Sequence, residues 1–263
     1  MKFTFGIITF PHPDNLFRIN TIIDSIERLN IPEDSYEVII VGGNNPCRKN
    51  TSHIPFNESI KPNWITRKKN IITWLARYEN VVYSHDYLTY DPDWYEGFLK
   101  FGNNFNVCSN RIYCVTGERF RDWIVSPARS EKLNTYLTNK LITPAYLIPH
   151  DITHLNHFVV IGGYYWVGKK QIMHEFPLEE ALSWGDGEDF RWCHALQKKY
   201  NVSFNRHSTN RLLKEKGRYF TEMSDATGEE LRRLVIPDSE LVHDYQHYDQ
   251  RKIESLERGQ GVI

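Results

Sequence analysis

The chain has 263 residues, 40% of them hydrophobic and 14% aromatic, enough to bury a sizeable core in one main domain. Its 32 basic and 33 acidic residues leave a formal net charge of -1, so no overall field draws it to nucleic acid or to an anionic membrane. No apolar run approaches the ~18 residues of a membrane span, and Met1 to Phe10 ends at a Pro-His-Pro turn instead of a cleavage site, which predicts a soluble, cytoplasmic chain with no transmembrane segment. Cys47, Cys108, Cys114 and Cys193 form no CxxC pair and fit reduced thiols.

Phe3 to Phe10 is β-rich and stops at Pro11; after Pro13-Asp14, the residues Leu16, Ile19, Ile22, Ile23, Ile26 and Leu29 follow helical spacing. Tyr36 to Val41 is a continuous apolar strand. Strand, helix and strand in that order predict a right-handed βαβ unit and a parallel sheet buried on both faces. The second strand ends at Gly42-Gly43-Asn44-Asn45-Pro46, the position where open α/β sheets bind ligands. Neither GxGxxG nor a Walker loop is present, which excludes a standard dinucleotide fingerprint and a P-loop ATPase. Residues 46 to 63 read as a loop. A helix then opens at Arg67-Lys68-Lys69-Asn70 and carries Ile71, Ile72, Leu75 and Ala76. Cations at a helix start oppose the macrodipole, so either an anion sits nearby or the stretch is a solvated basic corner.

Asn80 to Ser84 reads as a third strand running into His85-Asp86-Tyr87, after which Asp91 can cap a helix with Pro92 in its first position. A carboxylate at that strand end, beside an imidazole, can hold a divalent cation or can accept backbone N–H groups in a turn. Residues 105 to 115 form a further strand, and the stretch to about 150 shows no assignable pattern. His150, Asp151, His154 and His157 precede the strand Phe158 to Ile161; a zinc hydrolase would use such residues, although they lack the i, i+4 spacing of a helical metal motif. Gly162-Gly163 leads into Tyr164 to Val167.

Trp184-Gly185-Asp186-Gly187 then enters a helix whose apolar face is Phe190, Cys193, Leu196 and Tyr200, placing Glu188 and Asp189 in its first turn. First-turn acids complement the macrodipole, while the glycine-broken entry lets a carboxylate face a cleft; both readings stay open. Val202 to Phe204 is a short strand. Beyond it the chain is charged, with Thr227-x-x-Glu230 as a capping box before Leu231, Leu234 and Val235. His243 and His247 read as surface residues. The expected division is a main domain at 1–207 and a helical extension at 208–263.

Taken in order, these features resemble the GT-A glycosyltransferases of the family 2-like group over about residues 3 to 210. Thr9-Phe10-Pro11 matches the turn after the first strand, Arg67-Lys68-Lys69-Asn70 the basic stretch, and His85-Asp86-Tyr87 with Pro92-Asp93-Trp94 the metal motif. Gly162-Gly163-Tyr164 matches the turn beneath the transferred sugar, and Trp184-Gly185 with Glu188-Asp189 the late acidic motif. The resemblance implies an α/β fold of the GT-A (Rossmann-like) kind, a mixed, mostly parallel sheet flanked by helices. It implies an inverting, metal-dependent transfer of a sugar from a nucleoside diphosphate donor to a hydroxyl on a glycan or other acceptor. Asp189 would be the general base, with Glu188 contacting acceptor or helix, and Asp86 would bind Mn²⁺ or Mg²⁺. The donor would lie among Thr9, Phe10, Pro11, Gly42, Gly43, Arg67, Asn70, Asp86, Gly163 and Trp184, the indole offering a face to the sugar. His207 and His243 are candidates for a late metal-binding histidine.

Two departures stand out. Gly42-Gly43 occupy the place where the family commonly has Asp, and Tyr87 follows Asp86 where a second acid is usual. They support an alternative, a nucleotide-sugar or glycan-binding module of the same fold without turnover.

Overall fold

Every residue of β1 (Phe3–Ile8) is buried, as expected of a parallel strand covered on both faces. The protein is seen here as a computed structural model that describes residues 1–125, 146–153, 159–216 and 220–233. α1 (Asn15–Glu27) buries the Ile19, Ile22, Ile23 and Ile26 stripe that its spacing predicts. β2 (Tyr36–Val41), β3 (Thr51–Ile54), α2 (Ile65–Leu75) and β4 (Asn80–His85) follow, and β1 pairs parallel with both β2 and β4. Gly6 lets α2 lie close on the sheet, because a Cβ there would stand 2.3 Å from Ile72.

The chain continues through β5 (Leu88–Tyr90), α3 (Trp94–Phe101), β6 (Val107–Tyr113), β7 (Ile124–Val125), β8 (Tyr146–Leu147), β9 (Val159–Val160) and β10 (Tyr165–Lys169). α4 (Lys170–Glu175), α5 (Glu188–Gln197), β11 (Val202–Leu212), β12 (Thr221–Glu222) and α6 (Asp225–Arg233) complete it. The main sheet has the order β3-β2-β1-β4-β10-β6-β11-β5, with β10 antiparallel to both neighbours. A smaller sheet runs β12-β8-β7-β9. Alternate residues of the main strands feed two cores: Phe3, Phe5, Ile7, Val38 and Ile40 on one face, Ile39, Val41, Val81 and Tyr83 on the other. The shared direction of β1 to β4 brings four carboxyl ends to one edge, and the site lies there. Among the described residues no helix is long and apolar enough to cross a membrane.

Several expectations change. β3 lies within the span read as loop; it is an edge strand with no fully buried residue, so it needs no apolar pattern. β11 runs on to Leu212, and the expected division at 207/208 falls inside it. Its polar middle stays in the sheet through side-chain bonds, Asn110 to Asn210 at 2.7 Å and Asn205 to Ser208 at 2.8 Å. The cap of α6 is Ser224, whose hydroxyl accepts the Thr227 N–H at 3.2 Å; Thr227 lies inside the helix. α3 begins at Trp94, and the Asp91 carboxylate instead pairs with Arg211 at 2.8 Å. His154, His157, Leu234, Val235, His243 and His247 lie outside the described residues.

Candidate active site

The turn into α5 passes through Gly185 at φ 98° and Gly187 at φ 70°, left-handed backbone that glycine adopts without a Cβ penalty. It delivers Asp189 with Oδ1 on the Phe190 N–H at 2.9 Å and Oδ2 on the Gly163 N–H at 2.7 Å. A Cβ on Gly163 would stand 2.8 Å from Glu188 Oε1 and 3.1 Å from Asp189 Oδ2, so any larger residue would push the two carboxylates off this approach. On its other side the Gly163 carbonyl accepts from Lys69 Nζ at 2.5 Å. Lys69 is buried and lies 4.6 Å over the ring of Trp166, which is itself stacked between Tyr83 at 4.9 Å and Trp192 at 4.7 Å.

Burial sets the proton affinities in this cluster. It pushes the Glu188 carboxyl up to about 8, with the Asp189 charge adding and the Lys69 ammonium opposing. Asp189 is also raised, by burial first, against the Gly163 N–H and Lys69. The Lys69 ammonium is pushed down to about 8 by the same burial, with Glu188 and Asp189 resisting. Simple helix capping would hold a first-turn carboxylate low; here desolvation outweighs the helix N-terminus. The result is a positioned carboxylate with enhanced affinity for a proton.

The second half of the site is the line of strand ends. Thr9, just past β1, donates its hydroxyl to Asp86 Oδ2 at 2.7 Å, and Asn15 holds Thr9 and, at 3.2 Å, the Phe10 carbonyl. A Cβ would stand 2.4 Å from the Thr9 carbonyl oxygen on Gly42 and 2.5 Å from Asn15 Oδ1 on Gly43. Lys68 Nζ donates to the Thr9 carbonyl at 2.6 Å, pairs with Glu58 at 2.5 Å and lies 3.6 Å over the Phe10 ring. Beside Asp86, the His85 imidazole is held well below its usual pKa by burial and then by Lys69, Lys216 and Lys68. Lys216 itself lies 3.7 Å over the Tyr87 ring. The edge therefore collects ammonium groups around one carboxylate. Among the described residues no group of three His, Cys, Asp or Glu side chains is gathered as a metal site. Asp86 and the buried His85 Nε2, which lacks a hydrogen-bond partner, are the donors that a divalent cation would find.

No protein-family model matches the chain, and no curated protein matches it. Solved structures do match. S. aureus TarS, a GT-A family 2-like glycosyltransferase, aligns over 88% of this chain and 38% of its own, with a TM-score of 0.52 at 13% identity. The chain has the GT-A fold. The TarS 1-349 structure aligns over 80% of this chain and 60% of that one, and its complex with UDP over 81% and 61%, both at a TM-score of 0.50 and 12% identity. The chain thus spans less than two thirds of the length of these GT-A structures.

Within the GT-A sheet, Thr9, Phe10, Gly42, Gly43 and Asp86 converge at the strand ends, and Gly163, Glu188 and Asp189 form the adjoining cluster. Pro11 is exposed just beyond Phe10. Trp184 is 59% exposed, its backbone N–H held by the Asn63 carbonyl at 3.1 Å. Arg67 and Asn70 are engaged elsewhere: Arg67 Nη1 contacts both Glu180 oxygens at 3.0 Å, and Asn70 exchanges bonds with the Leu178 backbone at 2.9 and 3.0 Å. Their work is to hold the segment that leads to Trp184. The residues of that stretch facing the site are Lys68 and Lys69, which the sequence placed in the basic helix start but not among the donor-binding residues. Ile65, Lys68, Lys69 and Ile72 follow i, i+3, i+4, i+7 spacing and are all buried, so the helical phase carried the signal.

The zinc reading finds no support in the described part of its cluster. His150 bonds Asp122 at 3.0 Å and stacks on Phe204 at 4.8 Å, and Asp151 pairs with Arg206. His207 sits against α3, where a Cβ on Gly97 would meet its carbonyl oxygen at 2.4 Å.

Proposed function

We propose that this chain transfers a sugar from a nucleoside diphosphate donor to an acceptor hydroxyl with inversion at the anomeric carbon. The observation that carries the reading is Asp189, a half-buried carboxylate of raised proton affinity pinned to the Gly163 amide, next to a strand edge rich in ammonium groups. A GT-A neighbour of 12% identity in complex with UDP supports a uridine nucleotide as the donor leaving group.

In this reading Asp189 takes the acceptor proton as the hydroxyl oxygen attacks the anomeric carbon, on the face opposite the diphosphate. Glu188, protonated near neutrality, contacts the acceptor. Preorganised cations stabilise the charge that develops on the departing diphosphate, and Lys68, Lys69 and Lys216 line that edge. Asp86, with the buried His85 Nε2 in the next residue, would hold Mn²⁺ or Mg²⁺, which would supply further positive charge to the departing diphosphate. Trp184, exposed at the rim, offers its ring face to a sugar.

The test is a thermal-shift titration of UDP with and without Mn²⁺, on wild type and Asp86→Ala, followed by an assay of donor hydrolysis or transfer. Stabilisation that grows with Mn²⁺ and disappears in Asp86→Ala supports the reading; a ligand at 100 times its dissociation constant adds about 2.7 kcal/mol. Binding without turnover would favour a nucleotide-sugar-binding module, and no shift with any nucleoside diphosphate would end the reading.

A further inference from the structure

Residues 176–187, between α4 and α5, form no helix or strand, yet they carry the chain past Trp184 into the helix turn that bears Glu188 and Asp189. The bonds within this segment close only short turns, from the Leu182 N–H to the Glu179 carbonyl at 3.0 Å and from the Asp186 N–H to the Ser183 carbonyl at 3.1 Å. A stretch of that kind is placed by what grips it from outside.

The grip comes from the approach to α2 and its first turns. Lys61 donates to the Glu180 and Ala181 carbonyls at 2.9 and 2.6 Å, the Trp64 indole to the Glu180 carbonyl at 2.8 Å, and the Thr66 hydroxyl to the Leu182 carbonyl at 2.8 Å. Asn70 is buried and bonds both the N–H and the carbonyl of Leu178. Glu180 returns the grip with its side chain: Oε1 accepts from Arg67 Nη1 and Asn70 Nδ2, both at 3.0 Å, and Oε2 lies 3.0 Å from the same Arg67 nitrogen. Arg67 is fixed in turn by its place 4.6 Å over the Trp74 ring. A lone surface ion pair adds little, but a carboxylate bonded to two side chains that are themselves anchored has a defined place. Between Arg67 and Asn70, Lys69 holds the Gly163 carbonyl, and the Gly163 N–H holds Asp189. α2 thus reaches Asp189 by two routes, through Gly163 and through the chain that enters α5.

We propose that Glu180 is a positioning residue: by binding Arg67 and Asn70 it fixes to α2 the segment that sets Asp189 against Gly163. The reaction it serves rests on the transferase reading above, whereas the positioning belongs to the chain itself. The basic stretch then divides its work, with Lys68 and Lys69 bracing the strand-end side and Arg67 and Asn70 the entry to α5.

The experiment compares wild type, Glu180→Ala and Glu180→Gln by residue-resolved amide hydrogen exchange and by calorimetric titration with UDP. A glutamine oxygen in the Oε1 position still accepts from Arg67 and Asn70; alanine offers nothing to either. In Glu180→Ala the Gly163 and Phe190 amides, the two that Asp189 accepts from, should exchange ~10-fold faster or more, as for loss of about one hydrogen bond to a charged group. The amides of β1, β2 and β4 and the UDP affinity should stay unchanged, and Glu180→Gln should return to near wild-type rates. Faster exchange confined to residues 178–184 would make Glu180 a local brace and overturn the role. Loosening that spreads to β1, β2 and β4 overturns it as a general loss of stability, and weaker UDP binding overturns it by placing Glu180 on the donor side. Absence of UDP binding in wild type would end the donor reading, while the exchange comparison still decides the positioning.

Discussion

The Gly163 N–H donates to Asp189 Oδ2 at 2.7 Å while the carbonyl of the same residue accepts from Lys69 at 2.5 Å, so one glycine orients the proposed base and fixes the cation that answers its charge. An amide oxygen can accept the Gly163 N–H as a carboxylate does, but it cannot take the acceptor proton. Asp189→Asn keeps an acceptor for the Gly163 N–H and gives up the one on Phe190, so it is predicted to lose only a little melting temperature and to keep its UDP affinity while kcat falls ~10²- to 10⁴-fold. Calorimetry and a transfer assay on the same preparation check both halves, and an unchanged kcat would take Asp189 out of the base role.

The pH profile follows from the same contacts. Burial raises the Asp189 carboxyl above its ordinary range, and the Lys69 ammonium pulls it back down. A base works only when deprotonated, so kcat/KM should rise with pH through the raised Asp189 pKa and level off above it. Lys69→Met removes the charge that opposes the shift, and the rising limb should move to higher pH. A limb that stayed in place or moved lower would show that Lys69 does not act on Asp189 electrostatically.

Gly163→Ala tests the approach of the turn to the helix. The added Cβ would sit 2.8 Å from Glu188 Oε1 and 3.3 Å from Asp189 Cβ, so the Glu188 carboxyl has to swing away and Asp189 has to give by a few tenths of an ångström. Overpacking of this kind costs ~1–3 kcal/mol. The substitution should therefore lower the melting temperature modestly and transfer activity severely, with UDP affinity, which depends on the strand ends, nearly unchanged. Full activity in Gly163→Ala would mean the two carboxylates need no such closeness.

Much of the fold was legible because burial imposes period. β1, β2 and β4 are apolar throughout and α1 carries its stripe, so the βαβ start and the ligand edge could be read directly. β3 could not, because a solvated edge strand such as Thr51–Ile54 needs no pattern. Within the site, motif order singled out Thr9, Gly42, Asp86, Gly163 and Asp189, which the structure sets at the strand ends and the adjoining cluster, and Arg67 and Asn70, whose side chains bond Glu180 and Leu178 while Lys68 and Lys69 are the buried cations of that stretch. Charged residues on a buried helix face look like surface to a reading by composition.

The cluster first suspected of holding zinc carries a prediction about stability instead. Asp122 is fully buried and accepts the Ile112 N–H at 3.1 Å, Arg119 Nε at 2.8 Å and His150 Nε2 at 3.0 Å, while Arg119 reaches on to the Ile148 carbonyl at 2.7 Å and to Glu222 at 2.5 Å. These bonds join β6 of the main sheet to the segments beside β7, β8 and β12 of the small one. Asp122→Ala would leave Arg119 Nε and the buried Ile112 N–H without an acceptor, while the guanidinium keeps Glu222 and the Ile148 carbonyl, a loss of ~1–3 kcal/mol. At ~2–4 °C per kcal/mol for a chain of this size, the melting temperature should drop by ~2–12 °C. Asp122→Asn keeps one oxygen for the Ile112 N–H and should lose less. Zinc added to wild type should leave the melting temperature where it is, because His150 is already committed to Asp122. A loss below ~1 kcal/mol in Asp122→Ala, the ordinary effect of a point substitution, together with stabilisation by zinc, would return the cluster to metal binding.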